Sequence, residues 1–133
     1  NTHPNSTRNK EAWDIIEVCR GKLETKDYKS AQLYFDMGQF RAAAVAFNTL
    51  LNDYPDTETG DLYKMMSIRS YYRFAEMSVE EKKAERYEKV IDEVNEFLDR
   101  FPQSSLAKEA ESLLNLSKNN LNKYTNEPVK TTT

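Results

Sequence analysis

The stretch AQLYFDMGQFRAAAVAFNTLLNDYPDT, from Ala31 to Thr57, decides the fold, because much of it recurs 47 residues later. Six positions keep their chemical type at this constant offset. The pairs are Phe40 and Tyr87, Ala43 and Val90, Phe47 and Val94, Leu51 and Leu98, Tyr54 and Phe101, and Pro55 and Pro102. One offset shared by six positions indicates an internal repeat.

Apolar residues recur at helical spacing through almost the whole chain, and no stretch alternates in the way a half-buried strand does. The pattern predicts six helices. They cover the apolar stripe from Ala12 to Leu23, then residues 26–37, 41–53, 61–77, 78–101 and 105–124. Gly38 and the two prolines of the repeat are placed to end helices. Ser78 with Glu81 forms a capping-box pattern that starts the fifth helix.

The chain has 133 residues, which suits a single domain. We expect residues 10–124 to form a helical repeat domain, with a flexible leader over 1–9 and a flexible tail over 125–133, because both ends are polar. A repeat array normally needs ~3 units, whereas this chain offers two helix pairs and single helices at its ends. That count predicts part of a longer array, and because the chain opens on Asn1 without a signal peptide, we expect a processed product or an expressed fragment.

From the charge and hydropathy of the chain we expect neither a nucleic-acid partner nor a membrane-spanning helix. The chain carries 19 basic and 22 acidic residues without a basic stripe, so no nucleic-acid partner is expected. No apolar run approaches the ~20 residues that a membrane-spanning helix needs.

Catalytic and ligand-binding patterns are missing from the sequence, so we expect neither an enzyme nor a cofactor or metal site. His3 is the single histidine and lies in the polar leader, whereas a zinc site needs several nitrogen or sulfur ligands. Cys19 is the single cysteine and falls on an apolar stripe, which predicts a core residue and not a nucleophile. The three glycines are isolated and form no phosphate loop. The carboxylates lie mainly opposite the apolar stripes, where water solvates them.

The first copy of the repeat fits the tetratricopeptide (TPR) pattern of 34 residues. Its signature positions are occupied by Ala31, Tyr34, Ala43, Phe47 and Pro55, with Gly38 at the turn, and the second copy keeps Tyr87, Val90, Val94 and Pro102. Asp27 and Ser30 depart from the pattern, and the longer offset predicts 13 extra residues in the front helix or its turn. The prediction is an all-α, TPR-like, right-handed solenoid of antiparallel helix pairs.

Arrays of this kind bind partners on a concave face lined by the first helix of each pair. The repeat frame places Tyr28, Gln32, Phe35 and Asp36 on that face, with Tyr71 and Tyr72 from the second pair. Aromatic side chains next to charges suit a protein interface. The alternative is that these aromatics fill the core between helices.

The stretch from Ala31 to Thr57 resembles BamD (ComL-like) lipoproteins, whose pattern runs Ala-x-x-Tyr/Phe, Gly-x-Tyr/Phe, Ala-Ala, Tyr-Pro-x-Thr. The leading RGKLETKDYKSA and the later SYYRFAEMSVEEKKAERYEKVIDEVNEFLDRFPQS resemble Bacteroidetes-type members, and the resemblance extends over Cys19–Tyr124. It implies the C-terminal half of a periplasmic lipoprotein that helps to assemble β-barrels into the outer membrane. The implied partners are the barrel-inserting outer-membrane subunit and unfolded barrel precursors.

Lipoproteins of that family are anchored through a cysteine that follows an apolar signal. Cys19 follows WDIIEV, which contains two acidic residues, so the resemblance implies a lipid anchor outside this segment. A generic TPR scaffold in another envelope complex or in the cytoplasm is the alternative function.

Overall fold

The computed structural model describes the backbone of residues 2–131 and the side chains of residues 9–125. Five α-helices make up this part of the chain, and it contains no β-strand. The helices are α1 (Thr2–Asp36), α2 (Phe40–Asp53), α3 (Gly60–Glu76), α4 (Glu80–Arg100) and α5 (Ala107–Thr131). The all-α prediction is therefore confirmed, and the helix count was too high by one.

The first two predicted helices are a single helix, α1, of 35 residues. Gly21, near the end of the first predicted helix, lies inside α1 without ending it. A glycine inside a helix costs about 1 kcal/mol relative to alanine, which is too little to break a helix that continues on both sides. Helix α1 includes residues 2–9 and α5 includes residues 125–131. The flexibility predicted for the two ends remains a prediction, and residues 1, 132 and 133 lie outside the described chain.

The capping box predicted at Ser78 is wrong. Helix α4 has Val79 at its N-cap, which makes no side-chain capping bond. The Ser78 hydroxyl instead donates to the Phe74 carbonyl at 2.6 Å and accepts from Arg86 Nη1 at 2.6 Å. The hydroxyl therefore binds the last turn of α3 and the Arg86 side chain, and it does not cap the first turn of α4.

Consecutive helices pack against each other in antiparallel pairs. In the first pair, the Phe35 and Phe40 rings lie 5.2 Å apart beside the turn. At the far end, Arg20 Nη2 donates to the Asp53 carbonyl at 3.0 Å. Because the end of α1 contacts the start of α2, and an earlier residue of α1 contacts the end of α2, the two helices run in opposite directions.

Helices α1 and α3 are the first members of the two pairs, α5 follows the second pair, and side-chain contacts link these three helices. The Tyr28 ring of α1 lies 5.7 Å from the Tyr63 ring of α3. Arg69 of α3 binds Glu109 of α5 through two nitrogens, with an Nη2 to Oε1 distance of 2.6 Å. This arrangement is compatible with a helical repeat solenoid.

Two apolar clusters form the core. The first joins α1, α2 and α3 around Phe47, and the second joins α3, α4 and α5 around Phe97. Both phenylalanine side chains are completely buried. Each pair of helices therefore buries its apolar face against the next helix in the chain, as repeat units must.

The 47-residue offset of the sequence recurs in the burial of α2 and α4. Ala43 and Val90 are both completely buried, and so are Phe47 and Val94. Helix α4 has 21 residues and α2 has 14, a difference of about two helical turns. The sequence placed the extra residues in the front helix or its turn, whereas part of the lengthening lies in the second helix of the pair.

Gly38 shapes the turn between α1 and α2. Its φ angle is +79°, a left-handed conformation that glycine adopts without steric cost. This backbone lets the Gln39 N–H reach the Tyr34 carbonyl at 2.9 Å and the Gly38 N–H reach the Phe35 carbonyl at 3.0 Å. The last carbonyls of α1 are thus paired as the chain reverses direction.

Candidate functional site

Tyr28, the first residue predicted to bind a partner, packs between helices. Its ring lies edge-on to Phe47 at 5.9 Å and tilted against Tyr63 at 5.7 Å. The side chain is half-buried against the first core cluster. Most of its aromatic surface is therefore engaged inside the chain, and its part in partner binding remains a prediction.

The other three candidates on α1 divide between core and surface. Phe35 is half-buried against the first core cluster and contacts Phe40 near the turn. Asp36 is exposed and its Oδ1 accepts from Gln32 Nε2 at 3.0 Å, so these two polar side chains bind each other.

Tyr71 and Tyr72 lie on different sides of α3. Tyr72 packs against the second core cluster, with its ring 5.9 Å from that of Tyr87. Tyr71 also borders that cluster, but it lines a surface groove on the other side, where Lys89 Nζ lies 5.4 Å from its ring. Among the six candidates, Tyr71 alone lines this groove, and the role of the six in partner binding remains a prediction.

We call this surface the α2–α4 groove, because residues of α2, α3 and α4 line it, and Tyr34 at the end of α1 borders its larger part. It consists of two adjoining hollows of about 790 and 490 Å³. Arg41, Val45, Phe74 and Arg86 line both hollows and make them continuous. The volume of each hollow is in the range of sites that hold ligands or peptide side chains.

Arg86 is held in place at the middle of the groove. Its guanidinium carbon lies 4.2 Å from the centre of the Phe74 ring, and Nη1 donates to Ser78 Oγ. A guanidinium on an aromatic face gains a cation–π attraction of about 0.5–1 kcal/mol at an exposed site. Arg86 therefore presents a fixed positive charge above an apolar floor.

The two hollows differ in charge. Among the described residues that line the larger hollow, the only charged side chains are Arg41 and Arg86, and the others are mainly apolar or aromatic. Val45 and Met77 on its wall are 53 % and 67 % exposed. The smaller hollow adds five charged residues of both signs: Lys82, Glu85, Glu88, Lys89 and Asp92.

Sequence reasoning missed this groove. One signal was available, since Val45 is an apolar residue four positions after Arg41 and so shares the outer face of α2 with it. The packing that brings Val45 of α2 and Arg86 of α4 beside Phe74 could not be read from either helix alone.

The N-terminal part of α1 is a second exposed surface, which we call the α1 arm and define as residues 9–23. Every residue of the arm is exposed. Its large apolar side chains are between 53 % and 65 % exposed: Trp13, Ile15, Ile16, Val18 and Leu23.

The prediction that Cys19 belongs to the core is wrong, because its side chain is exposed. Helix α2 ends at Asp53, beside Arg20, and so lies along the later part of α1 only. Among the described residues, no helix covers the apolar stripe that Cys19 shares with Ile16.

A buried carboxylate lies between α2, α3 and α4. Glu93 Oε1 accepts from Asn48 Nδ2 at 3.0 Å and from Lys64 Nζ at 2.9 Å, and Lys89 Nζ lies 3.5 Å from Oε2. Burial alone would raise the pKa of Glu93, but hydrogen bonds from Asn48 and Lys64 outweigh it and lower the pKa. A carboxylate held ionised in this way is suited to joining helices and not to donating a proton.

Metal-ligand clusters and membrane spans were sought in the described part of the chain. There, no three His, Cys, Asp or Glu side chains are grouped as metal ligands would be. None of its helices combines the length and apolarity needed to cross a membrane. The side chain of His3, the single histidine, lies outside the described residues.

Comparison with known proteins adds no assignment. The chain matches no protein-family model, and a search of curated proteins gives no significant match.

Proposed function

We propose that this chain is a non-catalytic docking module of a periplasmic lipoprotein that serves the outer-membrane β-barrel assembly machinery. Its helices then form a TPR-like, right-handed solenoid, and the α2–α4 groove docks the barrel-inserting subunit. Unfolded barrel precursors are a second class of partner. The resemblance of Ala31–Thr57 to BamD-like lipoproteins supplies the family part of the proposal.

The observation that carries the docking role is the α2–α4 groove. It combines exposed apolar side chains at Val45 and Met77 with a fixed cation at Arg86 and a second, exposed cation at Arg41. An apolar centre with arginine at its edge is typical of protein interfaces. The groove is best suited to a partner segment that inserts an apolar side chain and places a carboxylate beside Arg41.

The repeat arrangement supports the TPR-like part of the proposal. Helices α2 and α4 carry equivalent buried positions, such as Phe47 and Val94, and each packs antiparallel to the helix before it. Helical solenoids are built from such units and present extended surfaces to partners.

The state of the buried Glu93 carboxylate supports a non-catalytic role. A general acid at neutral pH needs a raised pKa, whereas the hydrogen bonds to Glu93 lower its pKa. Glu109 resembles it, because the hydrogen bond from Arg69 lowers the pKa of Glu109 despite partial burial. Both side chains bind helices to one another.

The proposed docking is tested by isothermal titration calorimetry. The soluble periplasmic domains of the barrel-inserting subunit are titrated into this chain, and the heat of binding is measured. We expect micromolar binding by the wild type. Val45→Asp and Met77→Asp each place a carboxylate in the groove and should weaken binding at least about tenfold, or 1.4 kcal/mol. Leu116→Asp is the matched control, since Leu116 is also exposed on a helix but does not line the groove.

Melting curves establish that each variant is folded before its binding is compared. Wild-type protein that is folded but does not bind at tens of micromolar would favour a generic scaffold in another complex. Binding that Val45→Asp leaves intact would move the site away from the groove, and the double variant Tyr28→Ala with Phe35→Ala would then test the concave face.

A further inference from the structure

Some of the charged residues that line the α2–α4 groove are already paired within the chain. Lys82 Nζ lies 4.0 Å from Glu85 Oε2, and both residues line the smaller hollow, so this pair adds no net charge to it. Lys89 Nζ lies 3.5 Å from Oε2 of the buried Glu93. These lysines therefore do not give the smaller hollow a basic character.

The other charged residues of the groove form no ion pair with any residue that the structure describes. They are Arg41, Arg86, Glu88 and Asp92. Two of them are basic and two are acidic, so a partner that pairs with all four must carry both signs of charge.

The unpaired charges of opposite sign lie toward different ends of the groove. Arg41 and Arg86 are the charged residues of the larger hollow, whereas Glu88 and Asp92 line the smaller hollow only. Arg86 and Asp92 are six residues apart on α4, which is ~9 Å along the helix axis. The groove thus has a basic end and an acidic end.

The acidic end is open to a partner. Glu88 and Asp92 are both exposed, and their spacing of four residues places them on the same face of α4. Like charges at this spacing repel each other, and a cation bound between them would relieve that repulsion. Arg86 at the other end is held by the Phe74 ring and by the Ser78 hydroxyl, so its charge stays in one place.

From this charge pattern we propose that the α2–α4 groove binds a bipolar segment of its protein partner. Such a segment carries an acidic, an apolar and a basic side chain in that order along the groove. The acidic side chain pairs with Arg86, and the apolar side chain packs on Phe74. The basic side chain lies between Glu88 and Asp92. This inference rests on the docking role proposed above, and it adds the orientation of the partner and its need for a cation.

A purely acidic segment is the alternative occupant, because two arginines line the groove. The two occupants predict opposite effects of a charge reversal at the acidic end. Glu88→Lys or Asp92→Lys would repel the basic residue of a bipolar segment, but would attract a segment that is acidic throughout. The direction in which the affinity changes therefore distinguishes the two.

The test is isothermal titration calorimetry with the soluble periplasmic domains of the barrel-inserting subunit as the probe. Glu88→Lys and Asp92→Lys should each weaken binding at least about fivefold. Asp92→Glu keeps the charge and should retain the wild-type affinity. Arg41→Glu, at the basic end, should weaken binding to a similar extent. Since the three substituted side chains are exposed, the variants should keep their fold, which melting curves check.

Asp99→Lys is the matched control for the change in net charge. Asp99 is exposed on the same helix as Asp92 but does not line the groove. Its reversal should leave the affinity within about twofold of the wild type.

Three results would overturn the inference. Tighter binding by Glu88→Lys or Asp92→Lys would mean a purely acidic segment, and unchanged binding by both would mean that the partner does not reach the acidic end. In these two cases docking at the groove still stands. A folded wild-type chain that does not bind at tens of micromolar would overturn the docking role itself, and the bipolar segment with it.

Discussion

Asn48 on α2 donates a hydrogen bond to the buried Glu93 carboxylate on α4, across 3.0 Å. This bond joins the second helices of the two repeat units directly. Lys64 of α3 binds the same carboxylate and also Glu96 Oε2 at 2.7 Å, so one network ties three helices together. Lys89, which lines the smaller hollow of the α2–α4 groove, lies 3.5 Å from the same carboxylate, so the network borders the groove.

The Glu93 network predicts a loss of stability in acid. The folded pKa of Glu93 lies below its ordinary value of 4.5, so the ionised carboxylate contributes stability above pH 4.5. That contribution is lost as the pH falls through the folded pKa, because the unfolded chain then binds the proton more readily. The free energy of unfolding should fall below pH 4.5 in the wild type, and less steeply in Glu93→Gln.

Urea melts at a series of pH values between about 3 and 7 measure this dependence. Glu88→Gln is the control, since Glu88 is exposed on the same helix and its variant should keep the wild-type acid slope. Equal slopes for the wild type and Glu93→Gln would show that the network does not hold the ionised carboxylate.

The contact between α1 and α2 predicts that Ala43→Arg is severely destabilising. Ala43 and Ala31 are both completely buried in the first core cluster, which leaves no room for a longer side chain. Overpacking together with a buried charge should cost several kcal/mol, on the order of 3 or more. Asn52→Arg adds the same side chain at an exposed position of α2 and should change the free energy of unfolding little. If denaturant melts show comparable losses of stability for the two variants, the contact between α1 and α2 at Ala43 is refuted.

Phe47 should contribute much of the stability that the first core cluster provides. Its side chain is completely buried and its ring lies edge-on to Tyr28. Phe47→Ala should therefore cost about 3–5 kcal/mol. A loss below about 1 kcal/mol in guanidinium melts would mean that Phe47 does not hold α1, α2 and α3 together.

Two glycines with open surroundings should respond in opposite ways to alanine. At both Gly38 and Gly21, the position that a Cβ would occupy has no described neighbouring atom within 4 Å. Gly38 has a positive φ, so Gly38→Ala should destabilise the chain by about 1–2 kcal/mol. Gly21 lies inside α1, so Gly21→Ala should stabilise by up to about 1 kcal/mol. Thermal melts of the two variants check the signs, and a stabilising Gly38→Ala would contradict the turn geometry.

Helical periodicity and the 47-residue offset predicted much of the fold from sequence. They located α2, α3 and α4 to within a few residues, and they identified Phe47 and Val94 as equivalent positions. They failed at Gly21, because the sequence shows the cost of a glycine but not the gain from continuing a helix through it.

The candidate site was harder to predict than the fold. A small rotation about the axis of α1 decides whether Tyr28 points to the concave face or into the core, and periodicity cannot resolve such a rotation. Cys19 was placed in the core because it shares an apolar stripe, but burial also requires a neighbouring helix. The groove is lined by residues from several helices, so it is a property of the packed helices and not of one helix's sequence pattern.

Docking at the α2–α4 groove is tested most directly by nuclear magnetic resonance. The measurement follows the backbone amide signals of the isotope-labelled chain while the periplasmic domains of the barrel-inserting subunit are added. Signals of groove residues such as Val45, Phe74 and Arg86 should shift progressively, while those of Gln32 and Asp36 on α1 stay unchanged. Shifts confined to α1 and the exposed side of α5, with none along the groove, would contradict the account.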